Sequence, residues 1–271
     1  MKLEIFQVDA FTSVPFGGNP AAVVPLKEWL PDETMLKIAA ENNLSETAFF
    51  VKEDDRYHIR WFTPEVEVNL CGHATLASSY VIFKCLKLED KTIRFYSHRS
   101  GELGVEKQGD LMVLNFPAYT VAEIDAISNV GSAEHPPLRY WATSSGKLMM
   151  LMETQTAVAN FQPNLQGFLD LPYETVIITA KGDDCDFASR MFAPKIGISE
   201  DPVTGAMHCA LIPYWAKQLG KDKLFARQLS ARGGELFCEL AGDRVKIGGN
   251  ATLYLKGEIY VEAEDGKSIG A

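Results

Sequence analysis

The sequence predicts an α+β protein made of two similar units, and three observations carry that expectation. The first is a repeat. Arg60-Trp61-Phe62-Thr63-Pro64 and Arg190-Met191-Phe192-Ala193-Pro194 match without a gap at an offset of 190 − 60 = 130. The second is that each copy runs on to a turn of small residues. One is Asn69-Leu70-Cys71-Gly72-His73-Ala74-Thr75, the other Glu200-Asp201-Pro202-Val203-Thr204-Gly205-Ala206. The third is that each turn enters a stretch without charge, Gly72 to Phe83 and Val203 to Ala216. A helix with no polar face is buried all round, so each should be wrapped by the strands of its own unit.

The elements follow in order. Residues 2–11 alternate as a strand, Gly17-Gly18-Asn19-Pro20 is a turn cluster, and Ala21 to Leu26 is a short apolar strand. Asp32 reads as the N-cap of a helix through Asn43, with Met35, Ile38 and Ala39 on one face. Strands follow at Ser45–Val51 and Tyr57–Phe62. The second half repeats this order with a strand at Lys147–Met152, a short helix over 163–170, and strands at Thr175–Ala180 and Phe187–Phe192. A tail of strands (235–240, 243–247, 251–262) closes the chain. Pro117, Pro136 and Pro137 place the boundary between 117 and 135, giving units of 1–120 and 121–260, with residues 261–271 packing on the first.

Composition narrows the function. At 271 residues, with 46% hydrophobic and 23% charged residues, the chain has the make-up of an ordinary soluble globular protein. The 26 basic against 36 acidic residues leave a net charge of −10, which argues against nucleic acid and against an anionic membrane as partners. The charge-free runs 68–83 and 202–216 are too short and too polar to span a bilayer. Five cysteines without CxxC or Cys/His spacing suggest reduced thiols in a cytoplasmic protein, and no structural metal is implied. A small anionic metabolite stays compatible, because local backbone donors can hold one.

The residues that could do chemistry cluster at the turns. At the 130 offset Cys71 falls on Asp201. Asp201-Pro202 has an innocent reading as N-cap and first helical residue, and a functional one as a site carboxylate beside Thr204-Gly205-Ala206. Cys71 at a helix start would have a lowered thiol pKa, or would simply pack. His73 can serve as acid, base or orienter, whereas His208, deeper in its helix, reads as core. Cys85, Cys185, Cys209 and Cys238 read as structural. Glu46 leads into the apolar run Thr47-Ala48-Phe49-Phe50, where partial burial would raise its pKa toward that of a proton shuttle. Glu174 has the same claim by repeat symmetry, and spacing does not choose between them.

Taken together, several stretches resemble the PhzF-like family, named for a phenazine-biosynthesis isomerase. They are Gly17-Gly18-Asn19-Pro20-Ala21-Ala22-Val23-Val24, Asn43-Leu44-Ser45-Glu46-Thr47-Ala48-Phe49, Arg60-Trp61-Phe62-Thr63-Pro64 and Cys71-Gly72-His73-Ala74-Thr75. In the second half Phe192-Ala193-Pro194, Glu200-Asp201-Pro202-Val203-Thr204-Gly205 and Arg232-Gly233-Gly234-Glu235-Leu236 fit as well. The resemblance implies a diaminopimelate epimerase-like fold, with the site in the cleft between two domains. It implies proton transfer between carbons without cofactor or metal, with Glu46 as carrier and His73 and Asp201 assisting. It thereby favours Glu46 over Glu174. Asn19, Ser45, Cys71, Gly72, Thr204, Gly205 and Ala206 would bind the substrate, and a homodimer is implied too. Diaminopimelate epimerase uses two cysteines, one at each helix start, whereas here the second turn offers Asp201 and Pro202. The alternatives are an epimerase or racemase using Cys71, and a non-catalytic binding protein on the same fold.

Overall fold

A computed structural model describes residues 1–128, 130 and 134–261. The first half runs β1 (Lys2–Ala10), β2 (Asn19–Leu26), α1 (Asp32–Asn42), β3 (Glu46–Glu53), β4 (Arg56–Phe62), β5 (Glu67–Val68) and α2 (Gly72–Tyr80). A π-helical turn over Val81–Cys85 extends α2 before β6 (Thr92–Ser97), β7 (Gly101–Gln108), β8 (Leu111–Pro117) and β9 (Val121–Ile124). The second half runs β10 (Arg139–Thr143), β11 (Leu148–Leu151), α3 (Gln155–Asn160), α4 (Leu165–Leu169), β12 (Val176–Lys181) and β13 (Phe187–Ala193). It continues through a 3-10 turn (Pro194–Ile196), β14 (Ile198–Asp201), α5 (Gly205–Leu219), β15 (Lys223–Gln228), β16 (Gly234–Ala241), β17 (Arg244–Gly249) and β18 (Ala251–Tyr260).

One pairing scheme is used twice. In the first half β1/β2 is antiparallel, β2/β3 parallel, β3/β4 antiparallel and β4/β6 parallel, followed by the antiparallel meander β6/β7/β8. The second half repeats it as β10/β11, β11/β12, β12/β13, β13/β15 and β15/β16/β17. The parallel pairs require crossovers, which α1, α2, α3 with α4, and α5 supply. The halves join where β8 pairs with β17, Phe116 opposite Val245. They also exchange strands: β9 follows the first half but pairs with β10, and β18 follows the second half but pairs with β1. The sequence places residues 251–260 in the second unit, yet Ala251–Tyr260 lies along β1. Of the tail expected to pack on the first unit, residues 262–271 lie outside the described residues, and the Val261 N–H donates to the Met1 carbonyl.

The core follows the repeat. One cluster collects Phe6, Trp61 and Leu76 from the first half with Met149, Leu211 and Val245 from the second. Two satellites lie under the crossover helices: Met35, Ile38, Phe49 and Phe62 below α1, and Val158, Phe161, Phe168 and Phe192 below α3 and α4. Residues Gly72 to Ser79 of α2 are all buried, as its lack of charge predicts. Its hydroxyls are satisfied inside the helix, Thr75 donating to Cys71 O, Ser78 to Ala74 O and Ser79 to Thr75 O.

Two local expectations are corrected. Asp32 is not the cap of α1. Pro31 precedes the helix, Asp32 is its first residue, and the Asp32 carboxylate accepts from Arg60 Nη1 at 2.8 Å. The single helix over 163–170 is shorter, and a further helix, α3, precedes it, with Thr154 Oγ1 accepting from Ala157 N–H as its cap.

α5 carries Pro213 in its interior. Proline has no N–H, so the carbonyl four residues earlier, on Cys209, loses its helical partner. Tyr119 N–H fills that vacancy at 2.8 Å and ties the segment between β8 and β9 to the helix. Pro213→Ala would offer Cys209 an intrahelical donor in competition. The Tyr119 amide should then exchange with solvent roughly fivefold faster, the equivalent of about 1 kcal/mol. Unchanged protection at Tyr119 would show that the tie does not depend on the proline.

Candidate functional site

The two charge-free helices begin against each other. A Cβ placed on Gly72 would sit 3.7 Å from the Gly205 Cα, and one on Gly205 would sit 3.8 Å from the Gly72 Cα. Both are ordinary van der Waals distances, so the two helix starts lie within contact range. The N-caps are Cys71 and Thr204, and neither side chain accepts a hydrogen bond from its own helix. Two helix N-termini, each with orphan N–H groups and partial positive charge, therefore share one place.

The helix starts also correct the expected register. They lie 205 − 72 = 133 residues apart, so the counterpart of Cys71 is Thr204 and not Asp201. The 3-10 turn Pro194–Ile196 and an irregular β13/β14 pairing between Met191 and Ala193 lie between the matched strands and the second helix start. Asp201 is consequently neither an N-cap nor followed by a first helical proline. It ends β14, three residues before the cap, which removes the innocent reading of Asp201-Pro202.

Around the helix starts a buried polar chain links both halves. Glu46, the first residue of β3, holds Oε2 3.2 Å from His73 Nε2. This is a charge contact without hydrogen-bond geometry, and it leaves Oε2 buried with no hydrogen-bond partner among the described residues. His73 Nδ1 lies 3.5 Å from Cys71 Sγ and 3.2 Å from Asn19 Nδ2. Asn19 Nδ2 has only two hydrogens, and its shorter contacts take them: Asp201 Oδ1 at 2.8 Å and the Val203 carbonyl at 2.9 Å. His73 Nδ1 is thus free to donate to the sulfur. The Asp201 Oδ2 accepts from the Thr204 hydroxyl. Glu46, His73, Cys71, Asn19, Asp201 and Thr204 are therefore brought together.

Other residues fall differently. Glu174 is exposed, so the symmetry between it and Glu46 is broken by placement. Ser45 is half-buried, and its hydroxyl makes no hydrogen bond among the described residues. Gly72 and Ala206 line a cavity of about 360 Å³ with Leu70, Phe116, Tyr119 and Arg244. His208 is core, as expected, its Nδ1–H donating to the Thr204 carbonyl at 2.8 Å.

Electrostatics sorts the roles. Burial would lower the His73 pKa, but the Cys71 sulfur and the Glu46 carboxylate beside the ring outweigh it and raise it well above its ordinary value. Burial pushes the Cys71 thiol up to about 11, and the Glu46 charge adds to it. Of the two readings of Cys71, a lowered thiol or simple packing, burial favours the second. Burial also raises the Asp201 carboxyl to about 6, against the opposing pull of His73 and the Thr204 hydroxyl. His208, buried on an apolar wall, falls to about 4 and stays neutral.

Two supports escaped sequence reasoning. Gln228, fully buried at the end of β15, donates from Nε2 to the Asp201 carbonyl and accepts the Thr204 N–H on Oε1, both at 2.7 Å. It fixes the Asp201 backbone against the helix cap. Arg232 donates to the Gly17 and Gly18 carbonyls and to Asp9 Oδ1, all at 2.8 Å, while Asp9 Oδ2 accepts from Phe16 N–H. That clamp from the second half sets the turn that delivers Asn19. Gly18 adopts φ +62°, and a Cβ there would lie 2.1 Å from the Ala10 carbonyl oxygen.

A model of the phenazine biosynthesis-like family, PhzC-PhzF, matches residues 8–257. A Pseudomonas aeruginosa protein named as an uncharacterized isomerase is 49% identical, covering 96% of this chain and 99% of its own. The crystal structure of a PhzF family protein from Enterococcus faecalis superposes with a TM-score of 0.93 at 43% identity, covering 96% of this chain and 100% of that one. A hydroxyproline epimerase from Agrobacterium vitis, solved with trans-4-hydroxy-L-proline, has a TM-score of 0.64 at 11% identity over 97% of this chain and 94% of that one. That likeness shows the fold alone, an epimerase-like α+β arrangement.

The Asp201 carboxyl generates a prediction. A group titrating at about 6 in the fold and near 3.8 when unfolded favours the fold when protonated. That stability is fully present below the unfolded pKa and is lost as pH rises through 6, at most about 3 kcal/mol. Asp201→Asn should remove this term. Urea melts between pH 4 and 7 should show the wild-type advantage over the variant growing as pH falls, and parallel curves would refute the assignment.

Proposed function

The chain belongs to the PhzC-PhzF family of phenazine biosynthesis-like proteins and is an isomerase-type enzyme, and from that premise we propose the reaction. It is a proton transfer between carbons of a small carboxylate-bearing metabolite, without cofactor, in the cleft between the halves. The observation that supports it best is Glu46 Oε2, buried, beside the His73 cation, and without a hydrogen-bond partner of its own. A general base needs an available lone pair close to substrate, and here one is held inside the protein.

Glu46 takes the proton from one carbon and returns it to another. The developing negative charge is stabilised by His73, held as a cation, and by the helix N-termini at Gly72 and Gly205, which also hold the substrate carboxylate. Asp201, fixed by Asn19, Thr204 and Gln228, faces the same cluster and supplies either a donor or an acceptor as its proton comes and goes. Thr204 at the second helix start, together with a Cys71 thiol raised to about 11, weighs against a two-thiol racemase. Relatives named as isomerases weigh against a non-catalytic binding role.

The test is exchange with solvent. The purified chain, incubated in D2O with a panel of small carboxylates bearing acidic C–H bonds, should deuterate its substrate by one mass unit. Glu46→Gln should lower that rate by about 10²–10⁴-fold, the usual contribution of a general base. Full exchange in Glu46→Gln, with loss in Cys71→Ala, would instead assign the proton transfer to the thiol.

A further inference from the structure

Glu46, Cys71 and His73 converge beyond what a proton carrier needs. The imidazole, thiol and carboxylate ligand atoms of the three lie within 4.8 Å of one another. His73 Nε2 sits 3.2 Å from Glu46 Oε2 and 3.9 Å from Cys71 Sγ. Tetrahedral zinc bonds to sulfur, nitrogen and oxygen imply donor–donor edges of about 3.3–3.6 Å. The two Nε2 spacings bracket that range, but the sulfur lies nearer Nδ1, at 3.5 Å, so closing the three donors on one ion requires the Cys71 thiol or the His73 ring to turn toward the Glu46 side.

We propose that Glu46, Cys71 and His73 form a site for a thiophilic divalent cation of the Zn²⁺ or Cd²⁺ type, and that its occupation blocks proton transfer. The donor set selects the ion class. Sulfur and imidazole favour zinc and cadmium, whereas magnesium and calcium need oxygen donors. The carboxylate and the thiolate formed on binding balance the double positive charge. Binding displaces the thiol proton and the Nε2 proton of His73, both of which leave to solvent. Two ligands come from one rigid start, Cys71 as the cap of the buried α2 and His73 as its second residue, which limits the ordering needed on binding. The Glu46 side chain, 13% exposed, leaves a way in and a fourth corner for water. Its buried, unpartnered Oε2 gains in the metal the partner it otherwise lacks.

The blocking half of this proposal rests on Glu46 as proton carrier; the binding half does not. Cd²⁺ added to the freshly reduced chain should produce the ultraviolet thiolate-to-cadmium absorption, saturating at one ion per chain. Cys71→Ser should abolish the band, Glu46→Gln should weaken binding by at least about tenfold, and Cys185→Ser should leave it intact. If Cys71→Ser does not fold, as judged by circular dichroism, the Glu46→Gln titration carries the test. A band that survives in folded Cys71→Ser, unweakened affinity in Glu46→Gln, or no stoichiometric saturation in the wild type would overturn the site. The absorption needs no substrate, so the two readings separate. Glu46-dependent deuterium exchange without a cadmium band sinks the ion site alone, while a band on a chain whose exchange ignores Glu46 supports the ion site and sinks the reaction.

Discussion

Everything in this molecule is arranged around the close approach of two helix starts at Gly72 and Gly205. Bringing two partial positive poles together inside a protein is unfavourable on its own, and neither cap side chain relieves it. An anion bound at that place would offset the cost. Glu46 approaches from the first half and Asp201 from the second, and a substrate carboxylate would complete the set in the proposed reaction. The Glu46 charge disfavours ionisation of Asp201. The His73 cation, touching Glu46 and acting on Asp201, is what makes the arrangement tolerable.

Holding such a cluster to a fraction of an ångström requires that the halves not move independently, and several ties secure this. Strands β9 and β18 each cross to the opposite half, so neither ladder closes without the other half's chain. Arg232 reaches from the second half to fix the turn before Asn19. Asn19 then bonds to Asp201 and the Val203 carbonyl, spanning the junction with one amide group. Tyr119 is drawn to α5 by a carbonyl that Pro213 leaves open. Each tie joins residues far apart in sequence, and the ordering entropy of the site is thus met largely by folding.

Much of this was legible in the sequence because it is local. Alternation marked the strands, and absence of charge marked α2 and α5 as buried. What escaped was set by distance along the chain or by shortness. Helix α3 has six residues, too few to display a stripe. The offset of 130 read from Arg60 and Arg190 is right for the strands and fails at the helix, because a 3-10 turn and an irregular strand pairing intervene. The exchange of β9 and β18 leaves no trace in periodicity. Gln228 and Asp9 are polar residues whose partners lie in other elements, so nothing nearby in the sequence announces them, and Arg232 stood in a family-like stretch that gave it no role. For Cys71 the sequence left two readings open, and only its burial in the fold chooses the raised thiol.

The repeat also shows where chemistry departs from architecture. Arg60 and Arg190 each fork onto a glutamate, Glu67 and Glu200, in the same strand context. Their remaining nitrogens diverge, Arg60 to the Asp32 carboxylate at the head of α1, Arg190 to the Val158, Ala159 and Phe161 carbonyls at the tail of α3. Both uses obey the helix dipole only in the second case; in the first the arginine acts through an acid that suits the positive end. The same divergence runs through the site. Glu46 is turned inward where Glu174 is exposed, and Cys71 caps one helix where Thr204 caps the other. A symmetric pair of acid–base groups would suit inversion at one carbon, with a proton removed from one face and delivered to the other. A single inward carboxylate beside one cation suits a proton that leaves and returns through the same group, which is the geometric reason for preferring transfer between carbons to racemisation.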